Sequence, residues 1–349
     1  MCLSRCVPCF LHADEGTSIK KRGVLVLSLQ SALGAGSRRS ADVNFSGDTF
    51  LTRILFSVMM TKTYARNKAP LYALLSHFAD SCTNAFENGI EVVINDQRTN
   101  LHLCILGLKG DWPALTKCGR LNRHHLRDAP GSNNPAGICH LCLAGQTGYA
   151  WHEWDDSAAW LDTMDTAPLP WTTPSPLMKI PHDETDSADF FKIDLFHTMH
   201  KGVLADLAAS TIAACIASIG GSVAKRLDAV YSDLVVWCGA RGKQLHMSNL
   251  STILVGWKRS SDYPTGNWFK GADTTVLTSF LQWRCERALA DYDDEHEDYL
   301  QWITDALQEG NLFMAELYWQ PFWLKPSDAA RIAAHGKKLL FLYSRCASY

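Results

Sequence analysis

Cys139-His140-Leu141-Cys142 places two thiols two residues apart, the spacing at which a tight turn can aim both at one metal ion. Tetrahedral zinc needs two further donors. Asp194-Leu195-Phe196-His197-Thr198-Met199-His200 carries three candidates, and the spacing of three puts His197 and His200 on one helix face. Cys139 and Cys142 closed by His197 and either His200 or Asp194 would make a structural zinc site joining distant parts of the chain. The same residues have other readings: thiols without metal, His140 as ligand or as surface residue, and a redox pair. A thioredoxin-like redox pair would open a helix directly after a strand, whereas this one follows the loop Asp128-Ala129-Pro130-Gly131-Ser132-Asn133-Asn134-Pro135.

A second constellation is acidic. Asp14 follows the apolar run Cys9-Phe10-Leu11-His12-Ala13, and Asp111 follows the run from Leu101 to Leu108. Carboxylates at neighbouring strand ends can jointly hold Mg²⁺ or Mn²⁺, and two such ions about 4 Å apart would polarise both reacting oxygens of a phosphodiester. The plainer alternative makes Asp14 a turn residue and Asp111, in Gly110-Asp111-Trp112-Pro113, a helix N-cap. Between Asp111 and the cysteines lies the densest basic segment, Lys117, Arg120, Arg123, His124, His125 and Arg127. It suits phosphate neutralisation beside a metal site, or simply a solvated helix face. Lys20-Lys21-Arg22 and Arg38-Arg39 add positive charge nearby.

The elements that must position these groups follow from periodicity. Cys9 to His12, Val24 to Leu29 and Phe50 to Met60 read as strands; Leu71 to Phe86 reads as a helix stopped by Asn88-Gly89. Ile90 to Ile94 and Leu101 to Leu108 read as strands joined by the polar turn Asn95 to Asn100. The order favours an α/β or α+β class. Thr166 to Asp186, with five prolines, reads as a surface excursion. Beyond Asp189 the pattern is helical over Leu204 to Ile219, Ala224 to Trp237, Thr274 to Tyr292, Tyr299 to Leu307 and Asp328 to Tyr343. The uncharged run Leu207 to Ala224 is rich in Ala, Ser and Thr, so it reads as a buried helix and not a membrane span. Asp291 to Asp298 reads as a solvated acidic segment, and Trp302, Trp319 and Trp323 read as core.

With 349 residues, 47% hydrophobic and 20% charged, the chain has globular composition and room for about two domains; disordered, collagen-like and coiled-coil classes are excluded. Its 33 basic and 36 acidic side chains exclude a globally basic nucleic-acid binder, so any DNA contact must come from a local patch. Twelve cysteines without an N-terminal apolar leader pattern are expected to be reduced, intracellular thiols.

Taken in order, the motifs resemble CACTA-type and Plavaka-type DNA transposases: a strand ending in Asp14, further strands and a helix, a strand ending in Gly110-Asp111-Trp112-Pro113, then Cys139-x-x-Cys142, then Asp194-x-x-His197. The likeness is best from about residue 88 to 205. It implies a ribonuclease-H-like core of mixed sheet and helices, interrupted and followed by a mostly helical, zinc-stapled region. The corresponding segments are 1–127, 128–205 and 206–349. It further implies Asp14 and Asp111 as the first two acids of a DDE triad binding Mg²⁺ or Mn²⁺, and structural Zn²⁺ on Cys139, Cys142 and His197 with Asp194 or His200. DNA, as transposon ends, is the implied partner, with possible homo-oligomers, no membrane and a nuclear location. The family's third acid sits in a segment resembling Glu-Arg-x-Asn-Gly. Glu286-Arg287 shares two of its letters, and the expectation is that the full segment lies beyond Tyr349, leaving catalysis incomplete. The alternative function is a non-enzymatic, zinc-stapled DNA- or protein-binding module derived from such an element.

Overall fold

The computed structural model describes residues 3–17, 22–32, 53–125 and 136–348, apart from 154, 218, 258, 260–261, 269, 291–296 and 322. They belong to two compact units, Met1–Asp194 and Leu195–Tyr349. The expected boundary at 127/128 thus runs through the first unit. The reason is the proline-rich stretch: Trp171, Leu177 and Ile180, with Phe190 and Phe191 just beyond it, share one apolar core with the strands.

The first unit is α/β, built on a mixed six-stranded sheet. Its strands are β1 (Cys6–Thr17), β2 (Gly23–Ser31), β3 (Arg53–Met60), β4 (Ile90–Ile94), β5 (Gln97–Gly110) and β6 (Phe191–Lys192), with helices α1 (Thr61–Tyr64), α2 (Ala69–Glu87) and α3 (Trp112–Gly119). The order is β3-β2-β1-β5-β4, with β6 also on β5. β1, β2 and β3 form an antiparallel meander, whereas β1 and β6 both run parallel to β5. The β4–β5 hairpin turns on two residues, Asn95 and Asp96, both with positive φ. That is tighter than the six-residue turn expected, because Asn and Asp tolerate the left-handed angles a two-residue hairpin demands.

Alternation fixes the core. Cys9, Leu11 and Ala13 of β1 are buried with Leu25 and Leu27 of β2 and Leu108 of β5. Against this face packs α2 through Leu71, Leu75, Phe78 and Cys82, at helical spacing. Gly89 (φ 73) follows the helix in the left-handed conformation that ends it.

The second unit is helical: α4 (Leu204–Ala217), entered through a wide helical turn at Phe196–Val203, then α5 (Val223–Arg241), α6 (Gly271–Ala290), α7 (Glu297–Tyr318) and α8 (Pro326–Ser348). Phe196–Ala217 is long and apolar enough by composition to cross a membrane. Its Leu204, Leu207, Ala208, Ile212 and Ile216 lie in this unit's core, which accounts for the apolar composition. Helix α7 runs well past the Leu307 expected as its end. Trp319 and Trp323 are correspondingly not core: they lie beyond α7, 61% and 74% exposed, while Trp302 packs on the core from within the helix.

Helices α7 and α8 are joined antiparallel by charge. Glu309, nearly buried, accepts hydrogen bonds from His335 Nδ1 (2.6 Å) and Lys338 Nζ (2.7 Å), and Glu316 pairs with Arg331 (2.9 Å). Burial alone would raise the Glu309 carboxyl, but the bonds from His335 and Lys338 outweigh it and hold it below the usual carboxylate range. A depressed folded-state value stabilises above the unfolded value of about 4.3 and stops doing so as pH falls through the folded value. The stability gap between wild type and Glu309→Gln is therefore expected to be about 1.5 kcal/mol at pH 7 and to close below about pH 4, as read by urea denaturation at both pH values. A gap independent of pH would refute the account.

Candidate functional site

Asp14 and Asp111 are neighbours by strand register at the centre of the sheet. Ala13 and Gly110 are partners across the parallel β1–β5 pair, so the next residue on each strand is one of the two acids. Both are half-buried. Alternation along β1 turns Leu11 and Ala13 into the core and Phe10, His12 and Asp14 to the other face.

On β5 the parity would be wrong without an irregularity. Ile105 faces the core, so strict alternation would send Asp111 there too. The register instead steps from Cys9–Ile105 to Phe10–Gly107, leaving Leu106 as the extra residue of a bulge. Gly107 (φ 150) supplies the backbone angle there. Beyond it Leu108 and Gly110 face the core, and Lys109 and Asp111 emerge on the face of His12 and Asp14. Asp111 has extended backbone and caps α3, its Oδ1 accepting from the Ala114 amide at 2.8 Å. The N-cap reading of Asp111 is therefore correct and coexists with its place beside Asp14.

Basic groups line the same face. His12 pairs in register with Lys109, and Lys109 with Lys192 of β6. Burial lowers the pKa of His12, partly opposed by Asp14. Burial likewise lowers that of Lys109, partly opposed by Asp194, and Lys109 Nζ lies 5.3 Å from the Phe10 ring centre. Asp194, two residues after β6, thus acts electrostatically on His12 and Lys109. Sequence reading missed both basic groups; the alternation His12-x-Asp14 is the signal that could have found His12.

Glu15, the neighbour of Asp14, points the opposite way. It accepts hydrogen bonds from Tyr64 of α1 and Lys117 of α3. Burial would raise its carboxyl, but Lys117 and Tyr64 outweigh that and keep it low. Two helices, α1 and α3, are thereby tied to the part of β1 that carries Asp14.

Cys139 and Cys142 form a close thiol pair in the first unit. The Leu141 amide donates to Cys139 Sγ at 3.3 Å. The Cys142 thiol and this amide pull the Cys139 pKa down to about 6, while the same interaction raises Cys142. A turn that offers backbone donors to one sulfur and brings a second sulfur alongside suits two of the four positions of tetrahedral zinc. His140, between them, is buried with Nε2 2.7 Å from the Phe191 carbonyl. In the second unit His200 is buried, its Nε2 2.9 Å from Tyr318 Oη and its ring stacked on Phe196, and His197 meets Phe196 edge-on. Among the described residues, no three His, Cys, Asp or Glu side chains gather as a metal-holding group.

The basic segment is largely engaged within its own unit. Lys117 pairs with Glu15, and Arg120 lies 4.6 Å from the Tyr72 ring centre. Arg123 is only 6% exposed and donates to the carbonyls of Cys139 (3.1 Å) and His140 (3.3 Å), bracing the thiol turn. His125 packs edge-on against Trp112. Arg127, Lys20, Lys21, Arg38 and Arg39 lie outside the described residues. Glu286 is exposed on α6 of the second unit and accepts from Gln282 at 2.8 Å. Compared with known proteins, the chain matches no family model and no curated sequence.

Proposed function

We propose that the chain is a transposase-derived protein with a ribonuclease-H-like core that acts on DNA by metal-dependent phosphoryl transfer. The observation that carries this reading is the Ala13–Gly110 register, which makes Asp14 and Asp111 neighbours at the ends of parallel strands. Their order agrees with the resemblance: a first strand with its acid, further strands and a helix, then a second acid-bearing strand. Asp14 and Asp111 would hold Mg²⁺ or Mn²⁺, which supplies charge neutralisation for in-line attack on a phosphodiester. Lys109 would offset the negative charge of the carboxylates and substrate on that face. Cys139 and Cys142 would supply two of the donors to a structural Zn²⁺. DNA is the proposed partner and the nucleus the proposed compartment.

A second reading is the non-enzymatic, zinc-stapled DNA- or protein-binding module. The observation favouring it is that Asp111 is engaged as a helix cap and no third carboxylate joins the pair among the described residues.

Plasmid nicking with Mn²⁺ separates the two. Asp111→Asn keeps an oxygen to cap α3 but removes the charge. Nicking is expected to fall by at least about a hundredfold in this variant, with zinc content unchanged. Undiminished nicking would refute the metal role. No nicking by wild type, together with one zinc that is lost in Cys142→Ser, would establish the second reading.

A further inference from the structure

With Lys117 paired to Glu15 and Arg123 bonded to the thiol turn, the second unit offers a pair of exposed cations. Arg241, in the last turn of α5, lies with its guanidinium carbon 4.8 Å from the Trp237 ring centre and 5.4 Å from that of Trp283. Arg287, in the last turn of α6, lies 5.3 Å from the same Trp283 ring. Both arginines are exposed, Trp283 is half-buried and Trp237 is buried, so the aromatic base is anchored and the cations face solvent.

Neither guanidinium has a hydrogen bond or carboxylate partner among the described residues. Their neighbours are otherwise engaged: Arg284 pairs with Asp233, and Glu286 is bonded to Gln282. A helix C-terminus favours a cation, which accounts for arginine at both positions. It does not account for both meeting one indole. Two like charges on one ring repel, and the ring quadrupole offsets this only in part. An anion lying between them would relieve it. Contact with the indole also holds each planar group by its face and leaves its five N–H donors free at the edge, the orientation that suits phosphate oxygens. Because the groups are already held, little rotamer freedom remains to be lost on binding.

We propose that Arg241 and Arg287, fixed on Trp283, are a docking strip for the phosphodiester backbone of duplex DNA. The proposal rests on the DNA-acting reading above and gives it a binding surface in the second unit. The strip meets phosphates and carries no sequence preference of its own.

The test is the salt dependence of binding to a fluorescent duplex of arbitrary sequence by the full chain. Every phosphate that a variant no longer neutralises lowers the slope of log K against log salt by about 0.9, so the double variant Arg241→Gln/Arg287→Gln is expected to reduce the slope by about 2. Lys225→Gln, near the start of α5, should leave it unchanged. Circular dichroism checks that the variants fold. An unchanged slope in a double variant that still binds DNA overturns the strip and leaves the DNA-acting reading standing. No duplex binding by wild type overturns both. A slope change seen with heparin and not with duplex DNA would overturn DNA as the partner.

Discussion

Gly110→Ala is expected to destabilise the first unit by more than about 4 kcal/mol, an exceptional loss for a single methyl group. A Cβ at Gly110 would fall inside the van der Waals envelope of the Ala13 carbonyl oxygen. That oxygen is backbone, in the central parallel pair of the sheet, and Ala13 is completely buried, so no flexible side chain can move aside. Relief requires β1 and β5 to part where Asp14 and Asp111 adjoin. Gly16→Ala, two residues beyond Asp14 on the exposed end of β1, is the control: a Cβ there meets nothing within 4 Å. It should change stability by no more than about 0.5 kcal/mol. Urea denaturation and soluble yield of the two variants decide the matter, and near-equal stabilities would show that the strands do not approach as described.

Glu15→Ala ranks second, with an expected loss of about 3 kcal/mol. The carboxylate is the shared acceptor of Tyr64 and Lys117, and removing it leaves a fully buried phenol hydroxyl and a half-buried ammonium without it. Breaking a buried charge pair costs about 3–5 kcal/mol; the low end applies because the Glu15 and Lys117 side chains remain 19% and 30% exposed. Glu15→Gln keeps an acceptor for Tyr64 and should lose about half as much. Hydrogen exchange adds a local readout, since α3 carries Lys117 and its amides should lose protection before those of α2. Equal stability of Glu15→Ala and wild type would refute the anchoring role.

The sequence was most legible where one face of an element meets the core. The β-branched and Leu-rich run from Val24 to Leu29, and the spacing of Leu71, Leu75, Phe78 and Cys82, mark β2 and α2. Asp111 was visible as the acid that ends an apolar run, whereas the turn reading of Asp14 fails, because β1 continues through it to Thr17 in its antiparallel pairing with β2. Their adjacency was not visible, since it depends on β1 pairing with β5, nearly a hundred residues away in the chain. The fate of the basic segment was hidden for a related reason. Nothing local distinguishes Arg123, which braces the carbonyls of the cysteine turn, from a solvated arginine. Trp319 and Trp323 misled because large aromatics are ordinarily buried, and only the true end of α7 shows that these two lie past it.

The bulge at Leu106 makes β5 a strand of two independent phases. Residues 97–101 pair with β4, residues 102–105 pair with β1 ahead of the bulge and Gly107 to Gly110 pair with β1 beyond it, so the count that decides which face Asp111 occupies begins afresh at Gly107. Length changes in the Asn95-Asp96 hairpin can therefore be absorbed upstream without inverting the acid. Deletion of one residue between Leu106 and Asp111 cannot be absorbed in this way, and it would carry that carboxylate from the face of Asp14 into the apolar layer beneath α2.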